Sequence, residues 1–177
     1  MIIKNQYRLL FVAIYFAIGA LYSLLALYLD QIGFSGAQIG LVVSAGSLML
    51  IFSQPFWGII CDKTQRTVRV LKISLVMAGI FALLLPFTRQ FHQFLLVYVL
   101  VHFFQGANAP ISDTLAIKAA LRSGMTFGNF RQYGALGFAV AVFVVSQFSR
   151  WLGLWVIFPF YCLAYLTAAF FFRQEED

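Results

Sequence analysis

The sequence predicts an all-α polytopic membrane protein that crosses the bilayer six times. Of its 177 residues, 62% are apolar and 10% are charged, whereas soluble domains are about 45–50% apolar and about 25% charged. The mean hydropathy of +0.89 agrees with this bias. So few polar side chains cannot cover a water-facing globule, and most of the surface must therefore face lipid. The lipid bilayer is the first predicted partner.

Six runs of low charge are each long enough to span a hydrocarbon core, which takes roughly 20 mostly apolar residues in a helix. Their short connections leave no linker, so we expect one domain, 1–177, of six helices. The predicted spans are at about 9–29, 35–60, 70–87, 93–117, 131–148 and 152–172.

Local signals support these spans in chain order. Two basic residues precede the first run, but its apolar stretch is too long for a signal peptide and has no A-x-A cleavage site, so we interpret it as a retained helix. Ser35 and Gln38 have the spacing of a capping box at the start of the second span. The third and fifth spans are short, and we expect Lys72 and Arg131 to extend them by snorkelling. The fourth and sixth runs are long enough alone.

The positions of the basic residues predict the orientation, because Lys and Arg in short loops stay on the cytoplasmic side. With the N-terminus inside, only Arg89 and Arg150 lie outside, and ten basic residues lie at or near the inner face: Lys4, Arg8, Lys63, Arg66, Arg69, Lys72, Lys118, Arg122, Arg131 and Arg173. Both termini are therefore expected in the cytoplasm, with the chain in the plasma (inner) membrane. The net charge of +6 is explained by the basic residues that lie at the inner membrane face, so no nucleic-acid partner is expected.

The sequence carries none of the common catalytic or cofactor motifs. It has no GxSG, no HExxH, no P-loop and no GxGxxG that opens a helix after a strand. Cys61 and Cys162 form no CxxC and no closely spaced framework, so neither a disulfide scaffold nor a metal site is predicted. We expect no enzymatic activity, no catalytic residue, no metal and no cofactor.

Ionisable residues inside the runs are costly, about 2.5–3.5 kcal/mol at a helix centre, and each needs a reason. Asp113 is the acid within a run, and it lies toward the inner end of the fourth helix. A helix hairpin brings it to the depth of Arg131, so we expect these two to pair. From spacing alone, an acid solvated at the inner interface or a purely structural ion pair is favoured over a ligand site. His102 has no second histidine or acid at ligand spacing, and we interpret it as packed or hydrogen-bonded rather than as a proton relay.

An aromatic residue shares a helix face with the arginine. Phe138 follows Arg131 by seven residues, about 10 Å along the helix. Gly134 and Gly137 lie nearby, and such glycines commonly allow close helix packing. Spacing alone leaves packing as the favoured role of all three.

The segment between the second and third spans reads Gly58-Ile-Ile-Cys-Asp62-Lys63, followed by Gln65 and Arg66. It resembles the G-x-x-x-D-[RK] loop of the major facilitator superfamily, whose pattern has Gly where Gln65 stands. The resemblance implies a major-facilitator-type N-terminal bundle in which Gly58, Asp62, Lys63 and Arg66 form a gating loop. An acid at a helix end beside basic residues can lock inner helix ends together and release them.

A second stretch runs from Ala109-Pro110-Ile-Ser-Asp113 to Phe127-Gly128-Asn129-Phe130-Arg131-Gln132-Tyr133-Gly134-Ala135-Leu136-Gly137-Phe138. It is similar, without gaps, to the lactose-permease branch of oligosaccharide/proton symporters and to the phenylpropionate-permease-like branch. The resemblance implies that Asp113 and Arg131 bind sugar hydroxyls and that the sugar ring stacks on Phe138. A second arginine of the branch is Asn129 here, and the stacking ring is Phe rather than Trp, so galactoside specificity is not implied.

Members of the superfamily have twelve helices in two halves, so the resemblance implies the N-terminal half of a secondary active transporter. We expect a small organic solute, with sugar favoured and proton coupling, and a second six-helix half or a second copy of the chain as partner. The second half is absent from this sequence, and 173–177 resembles the start of the central cytoplasmic loop. A half-sized homodimeric carrier and a non-transporting membrane interaction protein or truncated gene product remain alternatives.

Overall fold

The computed structural model describes residues 2–124 and 126–172, with the side chains of 2–4 and 123 left aside. The expectations placed on the Lys4 side chain and on 173–177 lie outside these described residues. Two short 3-10 turns, Leu85–Phe87 and Leu154–Val156, accompany seven α-helices: α1 (Ile2–Tyr22), α2 (Leu25–Gln31), α3 (Gly36–Thr64), α4 (Thr67–Leu84), α5 (Phe91–Ser123), α6 (Gly128–Leu152) and α7 (Ile157–Phe171).

Six segments in the part of the chain that the structure describes are long and apolar enough to cross a membrane, so the predicted all-α class and the number of spans are confirmed. The first segment combines α1 and α2, and the last combines the second 3-10 turn and α7. A helix can span lipid because it satisfies its own backbone hydrogen bonds. The chain is therefore an integral membrane protein with a helical bundle.

The helix bounds differ from the predicted spans in two ways. A turn at Ser23 and Leu24 breaks the first span into two helices, although the apolar run continues through it. Several helices also extend beyond the apolar run: α1 begins at Ile2 instead of residue 9, and α5 reaches Ser123 instead of residue 117. An apolar count detects only the part in hydrocarbon, whereas backbone hydrogen bonding continues until a residue ends the helix. For α5 that residue is Gly124, in the left-handed conformation at φ 66°.

The helices pack in a curved row, in the order α6, α1, α7, α4, α5 and α3. The row is curved because α1 and α5, which are not neighbours in it, also make a smaller contact with each other. The two end helices, α3 and α6, are the least buried of the six spans. One side of the row, between α1, α3, α5 and α6, is therefore open.

Close contact of α1 with α6 depends on glycine. The backbone of Val12 lies where a Cβ on Gly137 would be, and the Tyr15 ring occupies the corresponding space at Gly134. This confirms the packing role predicted for both glycines, and it fixes the face of α6 that turns toward α1.

Two helix ends show how the sequence shapes the connections. The predicted capping box at the start of α3 is present: the Ser35 amide donates to Gln38 Oε1 at 2.9 Å, and the Gln38 amide donates to Ser35 Oγ at 3.3 Å. The same helix ends at Gln65, which adopts the left-handed conformation at φ 53°. A glycine is favoured at such a position because it has no Cβ, which explains why the superfamily pattern places Gly there.

Candidate functional site

Asp113 and Arg131 form the predicted ion pair between α5 and α6. Arg131 Nη1 donates to Asp113 Oδ2 at 2.9 Å. The Arg131 side chain is 53% exposed and that of Asp113 is 28% exposed, so the pair is not enclosed within this bundle. Asp113 Oδ1 is buried and has no hydrogen-bond partner among the residues that the structure describes.

The extra length of α5 changes the depth of this pair. Asp113 lies ten residues before the last residue of the helix, which is about 15 Å at about 1.5 Å per residue. Arg131 is the fourth residue of α6. The pair therefore lies further inside the bundle than a helix ending near residue 117 would place it.

Arg131 contacts the aromatic ring of Phe127, which was not predicted from the sequence. Its guanidinium lies 5.8 Å from the centroid of the Phe127 ring, at the start of α6. Phe138 lies two turns further along α6 and lines a cleft on the open side of the bundle. A second cation–π contact joins α1 and α6: the Arg8 guanidinium lies 5.0 Å from the Tyr133 ring centroid.

The cleft has a volume of about 310 Å³ and is formed by α1, α3, α5 and α6, which is at the lower end of the range for small-molecule sites. Its walls combine apolar groups with uncharged polar ones: Ile18, Tyr22, Leu50, Gln54, Gln105, Gly106, Asn108, Ala109 and Phe138. Asp113 lies one helical turn beyond Ala109, about 6 Å along α5. The ion pair thus adjoins the cleft rather than lining it.

A buried hydrogen-bond network supports one wall of this cleft. Tyr161 of α7 donates to Gln105 Oε1 at 2.8 Å, and Gln105 Nε2 donates to the Tyr22 hydroxyl at 3.1 Å. The Tyr22 hydroxyl and His102 Nε2 are 2.6 Å apart, and His102 Nδ1 lies 2.9 Å from the Tyr98 carbonyl oxygen. His102 is 1% exposed, which agrees with its interpretation as a packed, hydrogen-bonded residue.

Asn108 continues the polar wall toward α4. Ser74 donates to Asn108 Oδ1 at 2.6 Å, and both residues are buried. Four polar lining residues were not predicted from the sequence: Tyr22, Gln54, Gln105 and Asn108. A signal for part of this set was present, because polar residues recur at every third or fourth position along α5, namely His102, Gln105, Asn108 and Ser112, and so share one helix face.

The predicted gating residues lie at the turn from α3 to α4. Asp62 and Lys63 are in the last turn of α3, Arg66 is the N-cap of α4, and Gly58 lies further back on the exposed surface of α3. The side chains of Asp62, Lys63 and Arg66 are all exposed. Gln65 Nε2 donates to the Asp62 carbonyl oxygen at 2.6 Å, which tightens the end of α3.

Metal ligands do not cluster in the part of the chain that the structure describes. Within residues 2–124 and 126–172, no group of three or more His, Cys, Asp or Glu side chains could hold a metal ion. The residues that line the cleft offer hydrogen bonding and ring stacking, and an ion pair lies beside it.

Comparison with known proteins decides the family. Residues 5–176 match the MFS_1 like family, within the major facilitator superfamily. The chain belongs to this family of transporters. The superfamily resemblance is thus confirmed, and the chain corresponds to an N-terminal half with a major-facilitator-type bundle. Family membership points to transport rather than catalysis.

Three curated relatives illustrate the range of this family. The chain is 36% identical to the maltose permease of Geobacillus stearothermophilus over 94% of its length, and 35% identical to the uncharacterized transporter YwbF of Bacillus subtilis over 88%. It is 31% identical to the multidrug resistance protein MdtG of Yersinia enterocolitica over 91%. The matches cover 42%, 40% and 42% of these relatives, so the chain spans about two fifths of their length.

Proposed function

We propose that this chain is the N-terminal half of a secondary active transporter for a small neutral organic solute, with sugar favoured and proton coupling. The observation that carries the proposal is the cleft beside the Asp113–Arg131 pair, because it joins an aromatic ring to several uncharged hydrogen-bonding groups. Phe138 offers a face for a sugar ring. The amides of Gln54 and Gln105 offer partners for hydroxyl groups, and a solute that extends one helical turn past Ala109 would reach the Asp113–Arg131 pair.

The lining of the cleft favours a neutral solute. Its polar members are phenol and amide groups, and its other members are apolar. A charged solute would have to give up its hydration shell to such walls at high cost. A polyhydroxylated ring can instead exchange water for these donors and acceptors while its C–H face packs on Phe138.

The names of the relatives support two solute classes. A maltose permease among them favours sugar, whereas a multidrug resistance protein favours export of an apolar organic compound. The apolar lining residues Ile18, Leu50 and Ala109 fit the second class as well. Sugar remains our first choice because Gln54, Gln105 and Asp113 offer hydrogen-bond partners that an apolar compound would leave unused.

Binding of maltose tests the choice directly, since saturation-transfer NMR detects weak complexes. We expect transfer to maltose from the chain in lipid nanodiscs, and its loss in Phe138→Ala and Asp113→Asn. Phe143→Ala is the matched control, since Phe143 is another exposed ring on α6, 69% exposed, that does not line the cleft. Equal transfer in Phe138→Ala and Phe143→Ala would reject the cleft as the sugar site. Transfer to tetraphenylphosphonium but not to maltose would favour the drug class.

A partner bundle would complete the transporter. We propose that a second six-helix half, or a second copy of this chain, covers the open side between α3 and α6, and that alternating access rocks the two bundles. Asp62, Lys63 and Arg66 would form the inner gate, with both termini cytoplasmic in the plasma membrane. A non-transporting interaction protein is the alternative in which the ion pair serves folding alone.

Uptake by liposomes that contain only residues 1–177 separates the two kinds of partner. We expect no maltose accumulation under a proton gradient, because this chain supplies one wall of the cleft. Gradient-driven accumulation, with a dimer visible in detergent, would instead support the homodimeric carrier.

A further inference from the structure

We propose that His102 is a proton-binding site whose occupancy turns the Tyr22 hydroxyl toward the cleft as a hydrogen-bond donor. The inference rests on the proposed solute site, because Tyr22 and Gln105 line that cleft. It makes the N-terminal half itself the carrier of one coupled proton.

The contacts of His102 define its neutral form. Nδ1 lies 2.9 Å from the Tyr98 carbonyl oxygen, which can only accept, so Nδ1 must carry a proton. In neutral imidazole the other nitrogen, Nε2, is then an acceptor. The Tyr22 hydroxyl at 2.6 Å must therefore donate to it. In this state the only proton of the Tyr22 hydroxyl is committed to His102.

Tight packing holds the ring in this orientation. A Cβ added to Gly46 of α3 would come within 2.9 Å of His102 Cδ2 and 3.0 Å of Nε2. These distances mean that the ring lies directly against the α3 backbone. The hydrogen-bond directions are thus set by the fold and not by a freely rotating side chain.

The Tyr22 oxygen connects the histidine to the cleft. It donates to His102 and accepts from Gln105 Nε2 at 3.1 Å. The Gln105 amide is oriented in turn by Tyr161, which donates to its Oε1 at 2.8 Å. The Tyr22 oxygen can accept one further hydrogen bond, and because Tyr22 lines the cleft we assign this position to a group in the cleft.

Proton uptake through Tyr22 is balanced in atoms and charge. A hydronium ion in the cleft gives a proton to the free acceptor position of the Tyr22 oxygen as the original hydroxyl proton moves to His102 Nε2. Two O–H bonds break, one in hydronium and one in Tyr22, while one O–H and one N–H bond form; a water molecule is left in the cleft, and the added positive charge is on the imidazolium. Tyr22 now accepts from His102 Nε2, and its new O–H points into the cleft.

The surroundings explain why solute and proton should bind together. The ring's hydrogen bonds within the described part of the chain go to Tyr22 and Tyr98, not to a charged group. The titratable groups on the packed elements are phenols: Tyr22 from α1, Tyr98 from the preceding turn of α5, and Tyr161 from α7 through Gln105. On the α3 side the His102 ring lies against Gly46, which has no titratable group. On the α4 side the nearby polar residue is Ser74, which donates to Asn108 and carries no charge. The Asp113 carboxylate is eleven residues further along α5, about 16 Å away.

A buried imidazolium without a counter-charge is costly, so it needs every available hydrogen bond. A solute oxygen that accepts from Tyr22 would stabilise the protonated state. By reciprocity, protonation would increase solute affinity by the same factor.

The first test needs no solute. The chain with His92→Gln keeps His102 as its one histidine, and its ¹⁵N NMR signals in nanodiscs report which ring nitrogens carry protons. His92 is exposed, so its replacement leaves the packed core intact. As the pH is lowered from about 8 to about 4, we expect Nε2, which carries no proton at the start, to gain one. A proton on Nε2 at the start, or no protonation across the range, would overturn the proposal.

Removal of one hydroxyl tests the role of Tyr22. Tyr22→Phe deletes the group that accepts from protonated His102, and charge-assisted hydrogen bonds are about twice as strong as neutral ones. We expect half-protonation to need about tenfold more protons than in the parent chain, a change of about one pH unit. Tyr28→Phe is the matched control, since Tyr28 is a buried phenol of α2 in the same span. The same midpoint in Tyr22→Phe and Tyr28→Phe would overturn the proposal.

A second measurement links the proton to the solute. Maltose binding should strengthen on acidification in the parent chain and become independent of pH in His102→Gln, whose side-chain oxygen can accept from Tyr22 but cannot take up a proton. Maltose binding that stays pH-dependent in His102→Gln would overturn the coupling. The expected histidine titration without any maltose binding would instead count against sugar as the solute and leave the proton site supported.

Discussion

Replacement of Asp113 and Arg131, singly and together, measures the coupling energy between the two side chains, whose size can be estimated from their exposure and separation. The double-mutant cycle consists of Asp113→Asn, Arg131→Gln and the combined variant, each measured as the free energy of unfolding. The pair has one short hydrogen bond, at 2.9 Å, and exposed fractions of 28% and 53%. Exposed pairs contribute about 0.2–1 kcal/mol, whereas loss of one partner from a buried pair costs about 3–5 kcal/mol.

We therefore expect a coupling of about 1 kcal/mol, at the upper end of the range for exposed pairs, because the carboxylate is more enclosed than the guanidinium. Unfolding of the chain in mixed detergent micelles, followed by tryptophan fluorescence, supplies the four free energies. The matched control is a cycle of Asp113→Asn with Lys118→Met, since Lys118 is an exposed cation on α5, and these two changes should be additive.

Two results would contradict this reasoning. Strict additivity of Asp113→Asn and Arg131→Gln would mean that the pair does not interact in the membrane protein. A coupling near 3 kcal/mol or more would mean that the pair is fully desolvated, so the bundle would be closed over it and the cleft would not be open on that side.

Two further predictions concern a helix end and the topology. Gln65→Gly should stabilise the chain by about 1 kcal/mol in the same unfolding assay, because the Gln65 backbone is left-handed at φ 53°. Gly124→Ala should destabilise the chain by a similar amount, because Gly124 is left-handed at φ 66°. A loss of stability in Gln65→Gly would show that the hydrogen bond from the Gln65 side chain to the Asp62 carbonyl oxygen outweighs the backbone cost. Single cysteines at Arg89 and Arg150 should react with an impermeant thiol reagent in intact cells while one at Arg69 should not, and the reverse pattern would overturn the orientation.

The number of spans and the ion pair could be predicted from sequence for simple physical reasons. Bilayer thickness sets the length of an apolar run, so the runs could be counted. Asp113 is the acid within a run, and Arg131 lies where the next helix returns, so chain connectivity alone brought them together. The capping box of Ser35 and Gln38 depends on four consecutive residues and was equally visible.

The remaining features depend on packing between helices that are far apart in sequence. Tyr22 and His102 are 80 residues apart, and no local pattern places α1 beside α5. Arg131 could be predicted to share a face with Phe138, yet the ring it contacts is Phe127, because the long side chain turns toward the start of its helix. The break at Ser23 and the extension of α5 to Ser123 do not interrupt or lengthen an apolar run, so counting such runs could not detect them.

Solvent access at Phe138 shows whether the open side of the bundle contains an aqueous solute cleft. In a background with Cys61→Ser and Cys162→Ala, a cysteine at Phe138 should react with an impermeant thiol reagent in nanodiscs, and maltose at high concentration should slow the reaction. A cysteine at Phe143, on another side of α6, should remain unreactive in lipid. If neither cysteine reacts, or if the cysteine at Phe138 reacts at the same rate with and without maltose, Phe138 does not line an aqueous solute cleft.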